Sequence, residues 1–262
     1  GDQVKFRRLA DGRGIIEEVL PRRTALSRKA ARLGLEAEQI LVANPDQTVF
    51  VFSIREPVPH LRMLDRFLIV AEVNELWAVI CVNKIDLADE GEPQAVFGVY
   101  EDIGYEVLYT SAVTGEGVDT LREALAGRLS VLTGPSGVGK TSLLNAIEPG
   151  LGLAVRDTSR KTGKGRHATV IPHLIPLHVG GYVADTPGVK ALALWDIVPE
   201  ELDAYFPEMR PWVALCRYPG CSHTHEPDCA VQAAVERGEI SPARYDSYIR
   251  MRDNLAETDW WE

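Results

Sequence analysis

The octapeptide Gly134-Pro135-Ser136-Gly137-Val138-Gly139-Lys140-Thr141 fits the pattern G-x-x-x-x-G-K-[ST]. An apolar run, Leu129–Leu132, precedes it, and Ser142-Leu143-Leu144-Asn145-Ala146-Ile147 continues it in helical character. Strand, glycine-rich loop and helix are the context in which this pattern binds phosphate. The glycines let backbone N–H groups converge on an anion, and the helix adds its positive amino-terminal end. Lys140 is expected to reach the β- and γ-phosphates, with the Thr141 hydroxyl on Mg²⁺. The loop from Gly134 through Ser142 does not by itself choose the nucleotide, because nucleoside monophosphate kinases open on a similar loop.

The choice of base is expected from Asn83-Lys84-Ile85-Asp86, which follows the apolar run Trp77–Val82. Guanine presents N1–H and a 2-amino group side by side, and the Asp86 carboxylate has two oxygens to accept them. Adenine would leave that carboxylate unpaired, so the site would favour GTP and GDP. Asn83 is expected to bond the base or brace the loops, and the Lys84 stem to lie over the ring. Ser111-Ala112 follows Val107–Tyr109 and offers a backbone N–H to guanine O6. Asp185-Thr186-Pro187-Gly188 follows Tyr182–Ala184. Asp185 would hold Mg²⁺ through water and the Gly188 N–H would meet a γ-phosphate. The competing reading of this last tetrapeptide is an ordinary turn.

A second chemistry is spelled by Cys216-x₄-Cys221-x-His223-x₅-Cys229. Three thiolates and one imidazole fill the tetrahedral shell of Zn²⁺ and leave no open position, so the metal would be structural. His225 is a rival for the imidazole. The surrounding segment is poor in apolar residues, so the metal would supply folding energy. Cys81 sits in an apolar run and reads as core. His60, His173 and His178 read as structural.

These motifs need a frame. Val49–Phe52, Trp77–Val82, Val107–Tyr109, Leu129–Leu132 and Gly181–Ala184 are short apolar runs, and Leu61, Leu64, Phe67, Leu68 and Ala71 recur at helical spacing. Such alternation predicts an α/β fold with a parallel sheet covered on both faces. Residues 1–43 read instead as short strands at Val4–Phe6, Gly14–Leu20 and Ile40–Ala43, suited to a small barrel. Three or four strands are too few to close five, so the remainder is expected upstream of Gly1. Ser241-Pro242 reads as a helix start, followed by Tyr245, Tyr248, Ile249, Arg252 and Leu255 at helical spacing. This helix is expected to pack on the cysteine cluster, with Arg244 and Arg250 either touching RNA or, as the commoner case, on a solvated face.

Charge is unevenly spread. The chain carries −10, yet residues 1–43 hold nine Lys or Arg against six Asp or Glu, leaving −13 for the rest. The total argues against general nucleic-acid binding, whereas the basic end could dock on phosphate. No run approaches the roughly 20 apolar residues of a membrane span. No secretory leader is read, and four cysteines suit a reducing cytoplasm.

The base-reading motif comes before the phosphate loop, the reverse of the usual order. With a basic barrel-like segment ahead and the cysteines behind, the chain resembles the RsgA (YjeQ) family of circularly permuted GTPases, which assist late maturation of the small ribosomal subunit. The resemblance implies an OB-type barrel over 1–43, a permuted P-loop GTPase domain over 44–198 and a zinc-binding, partly helical domain over 199–262. It selects His223 over His225 as zinc ligand. It also implies a cytoplasmic monomer that binds the small subunit and its rRNA and is stimulated by it.

Between the phosphate loop and Asp185 lies a stretch from Arg156 to Val170 with five Lys or Arg. It reads as a mobile switch loop. The resemblance nominates His167 to orient the attacking water, since Val189 stands where a glutamine often does this. The family's run of threonines after that His is broken here by Ala168 and Val170, which leaves Thr169 to complete the Mg²⁺ shell. Two other classes compete. A nucleoside monophosphate kinase would phosphorylate GMP from ATP, and an RNA-binding module using GTP only as a sensor would never turn it over.

Overall fold

The computed structural model describes residues 1–32, 35–153, 173–185 and 197–255. The chain opens with two antiparallel hairpins, β1 (Val4–Arg8) with β2 (Gly14–Val19) and β3 (Ala25–Arg32) with β4 (Leu35–Ala43). They form separate two-stranded sheets. Of these strands, β3 escapes an apolar-pattern reading because Arg28, Lys29 and Arg32 punctuate it.

The central layer follows as β5 (Gln47–Ser53), α1 (Leu61–Val73), β6 (Trp77–Asn83), α2 (Glu92–Ile103), β7 (Glu106–Tyr109), α3 (Val118–Leu125), β8 (Leu129–Thr133), α4 (Lys140–Ile147), β9 (His173–Pro176) and β10 (Tyr182–Asp185). The strands form one six-stranded sheet in the order β7-β6-β5-β8-β10-β9. Five run parallel, and β9 pairs antiparallel with β10 at one edge. The expected all-parallel sheet is thus corrected at its edge. The four-residue β9 begins at a histidine and ends at a proline, too little pattern to be read as a strand.

Side chains along the central strands alternate between two cores. Phe50, Phe52, Ile80 and Val82 face Leu64, Phe67 and Leu68 of α1 and Phe97 and Tyr100 of α2. Val49, Val51, Val79 and Cys81 face Leu121 and Leu125 of α3 and Leu143, Leu144 and Ile147 of α4. Both faces being covered, the strands read as continuous apolar runs. Every loop at the carboxyl end of a parallel strand then lies along one edge, where such sheets bind ligands.

The carboxyl-terminal module comprises a 3-10 segment, Pro199–Tyr205, then α5 (Arg210–Val213), α6 (Ala230–Glu236) and α7 (Pro242–Leu255). It has its own apolar cluster, including Leu202, Phe206, Met209, Val231, Ile240, Tyr248 and Met251. The cysteine segment, itself poor in apolar residues, is backed by this cluster. Ile69 of α1 joins that cluster, so α1 is buried on two sides. Among the described residues, no helix is long and apolar enough to cross a membrane.

Candidate functional site

The loop between β8 and α4 is shaped by close backbone approach. A Cβ on Gly134, at φ +147°, would stand 2.1 Å from the Val51 carbonyl oxygen. A Cβ on Gly139, at φ +94°, would stand 2.3 Å from Asn83 Nδ2. Only glycine tolerates both the conformation and the contact. Lys140 begins α4, and its ammonium donates to the carbonyls of Gly134 and Pro135 at 2.8 and 2.6 Å. The lysine head therefore lies against the loop that the sequence pattern assigns to phosphate. Pro135, Ser136 and Gly137 span the turn, Val138 is buried beneath it, and Thr141 and Ser142 form the first turn of α4.

Asn83, 1% exposed at the end of β6, binds this loop to the turn that the sequence pattern assigns to the base. Its Nδ2 donates to the Val138 carbonyl at 2.8 Å. Its Oδ1 accepts from the Ala112 N–H at 3.2 Å and the Thr110 hydroxyl at 3.3 Å. One side chain thus joins three segments far apart in sequence. Ser111, itself fully buried, donates from Oγ to Asp86 Oδ1 at 2.5 Å and orients that exposed carboxylate. Lys84 takes a left-handed conformation, φ 63°, and its ammonium donates to the Glu56 carbonyl. Parallel pairing of β10 with β8 sets Asp185 opposite Leu132, beside the start of the phosphate loop. Gly188, His167 and Thr169 lie outside the described residues.

The second cluster is compact. One ligand atom from each of Cys216, Cys221, His223 and Cys229 lies within 4.8 Å of every other. Nδ1 of His223 faces the sulfurs of Cys216 and Cys229 at 3.5 and 3.4 Å, and Nε2 meets Asp203 Oδ2 at 3.0 Å. A carboxylate behind the imidazole fixes which nitrogen faces the sulfurs. The donor set fits a closed tetrahedral Zn²⁺ site. His225 is exposed and its Nδ1 meets the Thr224 hydroxyl instead. Tyr245 and Tyr248 of α7 donate to the carbonyls of His223 and Ser222 at 2.5 and 2.9 Å, so this helix packs on the cluster as expected.

Cys81 is core: burial pushes its thiol up to about 12. His60 caps α1, its Nδ1 accepting from the Met63 N–H at 3.1 Å. The backbone of His178 donates to the Glu148 carboxylate at 2.9 Å, just past α4.

Arg244 corrects the sequence reading. It is 1% exposed rather than solvated. Its guanidinium meets Asp65 of α1 at 2.7 Å and Glu208 at 2.7 Å, while Ser247 and Tyr100 also donate to Asp65. Arg250 is exposed and paired with Asp246 at 2.9 Å. Helical spacing within α7 cannot reveal this partner, because Asp65 stands 179 residues earlier.

The sheet order and the loops at its carboxyl edge define a P-loop α/β protein whose base-side strands precede its phosphate loop, a circular permutation. A family model described as RsgA GTPase matches residues 19–195. The small ribosomal subunit biogenesis GTPase RsgA of Moorella thermoacetica is 49% identical over 249 residues, 95% of this chain and 82% of that protein. The protein of the same name from Gemmatimonas aurantiaca is 48% identical over 92% of this chain and 78% of its own length. Among solved structures, YjeQ from Thermotoga maritima matches with a TM-score of 0.81 at 39% identity, covering 99% of this chain and 84% of that one. YloQ, described as a circularly permuted GTPase, matches with a TM-score of 0.77 at 33% identity, covering 100% and 82%. The chain belongs to the RsgA GTPase family.

Proposed function

We propose that this protein hydrolyses GTP to GDP and phosphate while assisting late maturation of the small ribosomal subunit, and that the subunit stimulates it. The observation that carries this reading is Asn83, which joins the base-reading turn, the Ser111-Ala112 loop and the phosphate loop through three side-chain bonds. The Asn83-Lys84-Ile85-Asp86 motif and the cysteine cluster count against a kinase for nucleoside monophosphates.

Asp86, Asn83, Lys84, Ser111 and Ala112 take the guanine end. Gly134 through Ser142 cradle the phosphates, with Lys140 neutralising the transferred group's charge. Thr141, Thr169 and Asp185 would hold Mg²⁺, which would offset the negative charge of the phosphates. His167 orients the attacking water, and Gly188 meets the γ-phosphate. Cys216, Cys221, His223 and Cys229 hold one structural Zn²⁺. The division is 1–43, an OB-like barrel to which β1 to β4 contribute, then 44–198 and 199–262. The partner surface is rRNA of the subunit, and the protein works as a cytoplasmic monomer.

The decisive measurement is single-turnover phosphate release from GTP with and without purified small subunits. The expected outcome is stimulation by subunits and its loss in His167→Ala. Stimulation that survives in that variant removes His167 from the mechanism, and absence of turnover with subunits leaves only a nucleotide sensor. For base choice, Asp86→Asn is expected to weaken GTP binding by about 2–3 kcal/mol, the cost of an unpaired buried polar group. For the metal, about one zinc per chain is expected, and Cys221→Ser should lower thermal stability while leaving GTP binding of the free protein intact.

A further inference from the structure

The segment between β5 and α1 touches the nucleotide edge, yet no nucleotide motif of the sequence includes it. Ile54 is buried, and its N–H donates to the Asn83 carbonyl at 3.0 Å, continuing the β5–β6 pairing into the turn. Ser53, fully buried, donates from its hydroxyl to the Pro57 carbonyl at 2.8 Å and closes the loop on itself. Between them Glu56 takes a left-handed conformation, φ 55°. A non-glycine residue there costs on the order of 1 kcal/mol and persists only when its surroundings enforce it. The result of that conformation is a carbonyl that receives the Lys84 ammonium. The Lys84 stem runs on beside the phosphate loop, its Cε 4.0 Å from where a Cβ on Gly139 would stand.

Arg55, next to the strained residue, reaches the other way. Its Nη2 meets Asp89 Oδ2 and Glu92 Oε2, both at 2.7 Å. Asp89 follows the Asp86 turn by three residues, and Glu92 opens α2. Glu92 also accepts from the Asp89 N–H at 2.9 Å. One guanidinium therefore ties the loop after β5 to the segment after the base-reading turn. Arg55 is 40% exposed at its side chain, so its ion pairs by themselves add little to global stability. Their effect is local order.

We propose that Arg55 is a positioning residue for guanine-nucleotide binding: by bridging to Asp89 and Glu92 it holds the Glu56 carbonyl in place, and that carbonyl aims Lys84 along the base side of the site. The proposal rests on the reading of Asn83-Lys84-Ile85-Asp86 as the base-recognition segment. It acts on the base end, so GDP, a non-hydrolysable GTP analogue and guanosine should all be affected alike, and the rate of hydrolysis at saturating GTP should not change.

The test is equilibrium binding of these three ligands to the full zinc-loaded chain. Arg55→Ala is expected to weaken each by about twofold to fivefold, the upper part of the range for partly exposed ion pairs. Arg55→Lys should recover part of the loss, and Glu92→Gln should reproduce part of it by a separate route. In a Lys84→Met background Arg55→Ala should add no further loss, because the two act in one chain of contacts. Unchanged affinity in both Arg55→Ala and Glu92→Gln overturns the proposal. So does a loss seen with the GTP analogue alone, or one that persists undiminished beside Lys84→Met. If Asp86→Asn binds GDP as tightly as wild type, the base-recognition reading itself falls, and that result is separate from any behaviour of Arg55.

Discussion

The amino-terminal hairpins and the carboxyl-terminal module flank the same α/β layer, and they are attached to it by opposite means. The β1–β2 hairpin is exposed along both strands, with Phe6 at 55% and Ile16 at 62%. Its cross-strand pairs, Lys5 with Glu18 and Arg7 with Glu17, sit in solvent. The β3–β4 hairpin is rooted through Leu26 and Val42, which join the core beneath α1. The carboxyl-terminal module instead shares Ile69 of α1 and is joined across the interface by a buried ion cluster, Asp65, Arg244 and Glu208. A shared apolar core and a desolvated ion cluster join the carboxyl-terminal module to the α/β layer. The first hairpin has no such joint in the described residues.

The contrast is broken most severely at Arg244. Arg244→Ala leaves Asp65 buried with its charge uncompensated, an expected loss of about 3–5 kcal/mol in unfolding free energy. Denaturant unfolding measures it. Combining Arg244→Ala with Asp65→Asn should cost clearly less than the sum of the single changes, because they share one network. Additive losses would mean that the two side chains do not act together. Next comes the root of the second hairpin, where Leu26→Ala should cost about 2–4 kcal/mol by leaving a cavity at a fully buried site. The smallest effects belong to the first hairpin. Lys5→Ala is expected to cost less than about 1 kcal/mol, since both partners are more than half exposed. A large loss there would show that the hairpin is covered in solution.

Much of the site was legible because its chemistry is local. The phosphate-loop pattern needs closely spaced glycines for close backbone approach, and the three cysteines and the histidine of the second cluster fall within fourteen residues, so both patterns survive as strings. The strands of the central sheet were legible for a similar reason: burial on two faces leaves unbroken apolar runs. The edge strand β9 was not, because four residues against one neighbour leave no such run. Nor was β3, where Arg28, Lys29 and Arg32 interrupt any apolar pattern.

What the amino-acid sequence determined alone is the permuted order of the motifs and the ligand types each one offers, since these are properties of short segments. The tertiary structure decided which distant segments meet. It chose His223 over His225 by placing Asp203 behind one ring and turning the other outward. It made Asn83 the junction of three loops, and it turned Arg244 from an apparent surface residue into a buried bridge. Hydrogen bonds and desolvation depend on spatial neighbours, and those neighbours lie up to 182 residues apart in this chain.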